Sequence, residues 1–136
     1  MPDISISVNA TAAQGVLSRA PDRINIAMRG GMEDSTTYVL AKIKRYPQER
    51  PNQAYIRTHT LEKSWSRRIT GSSMSIRGIV GSNSAMAPYN RLVQSRRDQA
   101  AVHRGRWQTI EDVAEDSTPT VQRFFADRLA AAGLDR

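Results

Sequence analysis

The period of the apolar residues changes partway along this chain, and that change limits the folds open to it. From Pro21 to Pro47 the apolar side chains Ile24, Met28, Met32, Val39 and Ile43 recur at steps of mostly four, with Leu40 beside them. That spacing lays one stripe along a helix. Pro21-Asp22 suits the first turn, because proline is pre-set for it and an acid favours the positive end of the helix dipole. Lys42, Lys44 and Arg45 suit the last turn, and Pro47 forbids continuation. From Trp65 the period falls to two. "SWSRRIT" places Trp65, Arg67 and Ile69 on one face, and "MSIRGIVG" places Met74, Ile76 and Val80 on one face with Gly78 between them. With "GSS" between the two runs, the pattern predicts a β-hairpin with a glycine-containing turn.

The flanks extend this reading. "DISISV", residues 3–8, alternates Ile4, Ile6 and Val8 with polar residues and predicts a short strand. "ATAAQGVLSRA" reads as a weak helical turn or loop, and "YPQERPNQAY" as a polar loop. Thr58 or Thr60 is expected to cap a single turn holding Leu61. "YNRLVQSRRDQAAVHRGR" reads as a short helix over about Pro88–Arg96 followed by a basic irregular stretch. The last helix has a capping box, Thr109 with Asp112, and a stripe of Ile110, Val113, Ser117, Val121, Phe124 and Leu129 flanked by Phe125. Two interruptions are expected: a kink or break at Gly30-Gly31, and at Pro119 either a kink or a second helix capped by Ser117 or Thr118. The expected fold is α+β, with a long N-terminal helix and a C-terminal helix packed on a small antiparallel sheet containing a central hairpin. One domain over 1–136 is expected, with an extended or mobile loop over 46–56.

Composition narrows the chemistry. The chain has no cysteine, which excludes a disulfide framework, a thiolate metal site and a cysteine nucleophile. No signal peptide and no membrane span are expected. His59 and His103 stand 44 apart with no metal-ligand spacing near either, so no metal is expected. No nucleophile elbow, Walker loop or dinucleotide fingerprint occurs, so neither catalysis nor a cofactor is expected.

Charge is the informative part. The formal charge is +7, and it is concentrated: residues 42–106 carry fourteen Lys/Arg against three Asp/Glu, and the remainder six against ten. Such a belt is a solvated face, a match for an acidic partner surface, or a phosphate-binding surface. The candidates for a DNA-facing or subunit-facing role are Arg67, Arg68, Arg96, Arg97, Arg104, Arg106 and Trp107. Arg67 and Arg68 point to opposite faces of a strand, so one of the two serves any given surface. Aromatics are 6% of residues, too sparse for a base-stacking platform, so any nucleic-acid contact is expected to be non-specific. Glu111, Asp112, Glu115 and Asp116 form an acidic run in the first half of the last helix. It reads as a solvated face favoured by the helix dipole, or as an interface for a neighbouring subunit's arginines.

Three stretches carry a resemblance. "RTHTLEKSW", residues 57–65, resembles the Arg-Thr-Gly-x-Leu-x-x-Ser entry to the hairpin of tailed-phage neck proteins, the tail-completion or head–tail joining family. "APYNRLVQ", residues 87–94, is similar to that family's Tyr-Ala-x-x-Val-Glu helix, and "HRGRWQTIEDVAEDSTPTVQRFF" stands in the place of its terminal segment. The match covers about residues 55–132, with looser agreement over 22–45. His59 stands where the family has glycine, and "SRRDQ" follows Gln94 where the family has Gly-Thr. The resemblance implies a non-catalytic virion protein, assembled in the host cytoplasm into a six- or twelve-fold homo-oligomeric ring of the neck. The implied partners are a head-side connector or portal and tail terminator or tail-tube proteins, with the DNA channel at the centre. Complementary charge between the basic belt and the acidic run would favour head-to-tail contacts in such a ring. The alternative reading is a small non-specific nucleic-acid-binding module.

Overall fold

A computed structural model describes residues 3–9, 21–49, 51, 59–72 and 75–134. In chain order the elements are β1 (Asp3–Asn9), α1 (Pro21–Ile43), α2 (Thr60–Ser64), β2 (Trp65–Ser72), β3 (Ser75–Ser82), α3 (Asn90–Gln94), a 3-10 turn (Ala101–His103) and α4 (Ile110–Ala131). The fold is α+β, as the change of period predicts. The strands form one antiparallel sheet in the order β1-β3-β2, so the second strand of the hairpin is central. Met74, the segment 10–20 and the greater part of the loop after Pro47 lie outside the described residues.

Alternation sorts the sheet into two faces. Ile4 pairs with Val80, Ile6 with Gly78 and Val8 with Ile76. Across the other ladder Arg67 pairs with Val80 and Ile69 with Gly78. These residues share the inner face, against which both long helices pack. The core runs along α1 in two continuous parts. Val39 and Ile43 meet Ile4, Trp65, Val80, Ile110 and Val113. Ile24, Met28 and Met32 meet Ile76 and Phe125.

The helix stripe is completed by residues that its apolar spacing skips. Ser35 and Thr36 are fully buried between Met32 and Val39. Their hydroxyls donate back to the carbonyls of Gly31 (2.7 Å) and Met32 (2.9 Å), which removes the cost of burying them.

Gly30-Gly31 does not break α1, which is one helix of 23 residues. The glycines serve packing instead. A Cβ at Gly31 would lie 2.6 Å from Cδ1 of Phe125, so the missing side chain is what lets α4 come this close. Gly78 does the same on the sheet, where a Cβ would meet Met32 Sδ and Thr36 Cγ2 at 2.5 Å. Burial of Met32 and Phe125 at these contacts offsets the helix propensity that two glycines forfeit.

α4 likewise runs unbroken through Pro119. The predicted capping box is present: Thr109 Oγ1 accepts from the Asp112 amide (3.1 Å), and Asp112 Oδ2 accepts from the Thr109 amide (3.1 Å). Pro119 is exposed, and Val113 and Phe125 are buried on either side of it. That burial holds the helix across an interior proline that costs about 3 kcal/mol in isolation. Phe125, not Phe124, is the buried ring. Val121 leads by four to Phe125, while Phe124 sits on the shoulder and meets Tyr38 edge-on at 5.7 Å.

α2 is the single turn expected around Leu61, which is buried. Thr60 is its first residue and not its cap. His59 holds the N-cap position without a side-chain bond to the helix, and Thr58 lies outside the described residues. α3 is shorter than expected, and residues 95–109 wrap back towards α4.

Candidate functional site

The candidate residues divide by what their side chains touch. Arg96 is taken up inside the chain. Its Nη2 donates to Asp112 Oδ1 at 2.7 Å, its Nη1 to Glu115 Oε1 at 3.0 Å, and its backbone amide to Glu111 Oε2 at 3.1 Å. The acidic run therefore meets an arginine of its own chain at three of its four members. Asp116 is exposed beside them. The Arg96 guanidinium is the main reason that the Asp112 carboxyl lies below the ordinary aspartate range, with the Thr109 bonds adding to it. Asp112 spends one oxygen on the helix cap and the other on Arg96. It thus ties the 95–109 segment to the start of α4.

Three more candidates work on that segment. Arg104 Nε donates to the Gln99 carbonyl at 3.3 Å, and Arg106 Nη2 to the Gln48 carbonyl. Trp107 is half-buried, stacked at a tilt on Tyr46 (centroids 5.0 Å apart) and edge-on to His103 (5.9 Å). Buried amides do the rest. Gln99 Nε2 bonds the carbonyls of Val93 (2.7 Å) and Trp107 (3.0 Å), and Gln94 Nε2 reaches the Ile43 carbonyl (3.4 Å). Sequence reading missed these glutamines. Their partners are backbone carbonyls that only the folded chain brings near, so no local signal marks them.

Between α2, α3 and this segment lies a pocket of about 430 Å³ lined by Tyr46, Leu61, Leu92, Val93, His103 and Trp107, among others. His103 is pushed below the ordinary histidine range by burial and, second, by the Arg106 charge. At the mouth stands His59, the one non-glycine residue with positive φ (62°) among the described residues. Its Nδ1 lies 3.1 Å from Glu62 Oε2. Tyr89 and Leu92 are exposed at the same rim.

The strand arginines are placed differently. Arg67 lies on the inner side, and its Nη1 donates to Thr36 Oγ1 at 3.3 Å at the margin of α1. Arg68 lies on the outer side, opposite Ile79. That outer face is a grid of three strands and four rungs. In register these are Asn9–Ser75–Ser72, Ser7–Arg77–Thr70, Ser5–Ile79–Arg68 and, last, Asp3–Gly81–Ser66. Arg77 Nε donates to Ser5 Oγ at 2.9 Å, and neither Arg68 nor Arg77 has a carboxylate partner among the described residues. Sequence reading did not single out Arg77, although its alternation with Ile76 and Gly78 marks it as outward. Arg97 is exposed next in sequence to Arg96.

No described helix is long and apolar enough to cross a membrane. A scan against protein-family models and searches of curated proteins and of solved structures found no match to this chain.

Proposed function

We infer that this chain is a structural virion protein of the tailed-phage neck, forming a ring that joins the DNA-filled head to the tail around the DNA channel. The observation that carries the reading is the backbone at position 59. In the motif that residues 57–65 resemble, this position is glycine, and here φ is 62°, in the left-handed region where glycine is free of strain. The motif's glycine thus has a geometric counterpart in a chain that carries histidine. The order of elements after β1 adds support: it includes a long helix, a hairpin, a short helix and a long helix in that sequence, the order that the resemblance implies.

The physical chemistry fits a non-catalytic ring component. Closed rings of identical subunits need two different surfaces on each copy. The chain has apolar exposure at two distant places. Ile26 near the start of α1 is 72% exposed, while Leu92, Tyr89 and Val102 are exposed near the far end of that helix, where Gln94 meets Ile43. A second reading, a small non-specific nucleic-acid-binding module, is favoured by Arg68 and Arg77 on the outer sheet face, which have no carboxylate partner among the described residues.

Native mass measurement of the purified chain, together with protein identification in purified particles, tests the reading. The expected result is a discrete six- or twelve-fold assembly and a stoichiometric presence in the particle. A monomer that binds duplex DNA and is missing from particles would favour the second reading and overturn the first.

A further inference from the structure

We propose that the outer face of the sheet, through Arg68 and Arg77 and the hydroxyls of Ser5, Ser7, Ser66 and Thr70, is the surface that meets the phosphate backbone of duplex DNA. The proposal deepens the ring reading by saying which side of the subunit faces the channel.

The argument starts from how the fold uses its cations. Arg96 and Arg128 are each committed to carboxylates, Arg96 to Asp112 and Glu115, Arg128 to Asp34 at 2.8 Å. Arg104 and Arg106 hold backbone carbonyls, and Arg67 holds Thr36. These contacts fasten segments of the chain to one another, and they remove most of the predicted basic candidates from the list of free phosphate ligands.

Arg68 and Arg77 hold no carboxylate and no backbone carbonyl among the described residues; Arg77 gives its Nε to Ser5 Oγ at 2.9 Å, a contact within the same outer face that fastens no other layer of the fold. They stand on neighbouring rungs of the grid, opposite Ile79 and Thr70 respectively. Diagonal neighbours on a sheet are about 7–8 Å apart, within the reach of two long side chains acting on one stretch of backbone. Both long helices lie on the other face: a Cβ on Gly78 would strike Met32 and Thr36 of α1.

The rest of the grid has the composition of a phosphate surface. Serine and threonine hydroxyls are ordinary phosphate partners alongside arginine. The acid on the face, Asp3, sits on the last rung, beyond both arginines. No aromatic stands on the grid, so it has nothing on which unstacked bases could pack. A hydroxyl-rich, cationic face of this kind reads charge and not sequence, which is what a conduit for arbitrary DNA requires.

Salt dependence tests the proposal directly. Each phosphate contact contributes about 0.9 to the slope of log affinity against log salt, so the pair should contribute about 1.8. The expected result is that Arg68→Gln/Arg77→Gln binds a short duplex DNA of arbitrary sequence with a slope smaller by about that amount. Between about 50 and 200 mM salt, its loss of affinity would then be about 12-fold less than that of the full-length wild-type chain. Lys63→Gln/Arg123→Gln, which removes the same charge from exposed positions elsewhere, should leave the slope near wild type. Melting temperature checks that each variant is folded. An equal fall in slope for both pairs, or no duplex binding by the wild type at the lower salt, overturns the proposal. A ring of normal mass whose slope the Arg68/Arg77 pair does not move overturns the proposal and spares the ring reading. A monomer that shows the predicted slope change supports the proposal and overturns the ring reading.

Discussion

The helix–sheet body and the segment from Asn83 to Gln108 are held by different forces. The body is dry. Ile24, Met32, Val39, Ile43, Val80 and Val113 are fully buried, and glycines at 31 and 78 bring the layers into contact. The segment has a small apolar cluster, Leu61, Ala87 and Val93, with Tyr46 and Trp107 packed against it. Directed polar bonds supply the rest: glutamine amides on backbone carbonyls, Arg106 on the Gln48 carbonyl, and Arg96 in its carboxylate cradle. Apolar packing is indifferent to pH and weakly dependent on salt, whereas the segment's bonds are local, geometric and titratable. The body should therefore set global stability, and the segment should loosen first. Both candidate surfaces, the open sheet face and the pocket rim, hang on one or the other.

The strongest way to break this contrast is to cut the body. Ile43 is fully buried where the two regions meet, and Ile43→Ala should cost about 2–5 kcal/mol, read as a lower urea midpoint at unchanged slope. A loss below 1 kcal/mol would mean that the core is not organised around the end of α1.

The next test aims at the segment. Gln99→Leu keeps the bulk but strips the donors from two carbonyls, those of Val93 and Trp107. The expected cost is about 1–3 kcal/mol. Hydrogen exchange should place it in residues 90–107, with the sheet amides unchanged. Equal acceleration throughout would show the two regions to be one cooperative unit.

His59→Gly should act in the opposite direction. It relieves a left-handed backbone that costs a non-glycine residue about 1–2 kcal/mol, less the extra unfolded-state entropy of glycine. The exposed pairing with Glu62 that it removes is worth little. A net gain of up to about 1 kcal/mol in thermal unfolding is expected. A loss instead would assign the His59 ring a structural contact that outweighs the strain.

The smallest effect is the pH dependence of the Arg96 cradle. Asp112 is held below its ordinary value in the folded chain, so its contribution is fully present above the ordinary aspartate pKa of 3.8. It is lost as pH falls through the lower folded value. Amides of residues 95–109 should lose protection in acid below that point, ahead of the sheet. Arg96→Gln should flatten the difference. Persistence of the acid response in that variant would move its origin away from Asp112.

The sequence displayed the elements well, because helix and strand periods, the proline stop after α1 and the Thr109–Asp112 box are all written in neighbouring residues. Alternation by itself also separates Arg67 from Arg68, onto opposite faces of the strand. The candidate site was less legible. Arg96 reads as one more cation in a basic belt, and the acidic run reads as a free face, until the chain folds back across 16–19 residues and closes one upon the other.

What the sequence determined by itself is therefore the inventory: an α+β chain, its strands and helices, which side of each strand is polar, and an excess of positive charge in the middle. The tertiary structure alone decided that Gly31 and Gly78 are points of close approach, that α4 passes through Pro119 unbroken, and which arginines are spent within the chain. The reason is range. Periodicity and caps act between residues a few positions apart, while packing clearance and ion pairing depend on distances that exist only once separate elements have met.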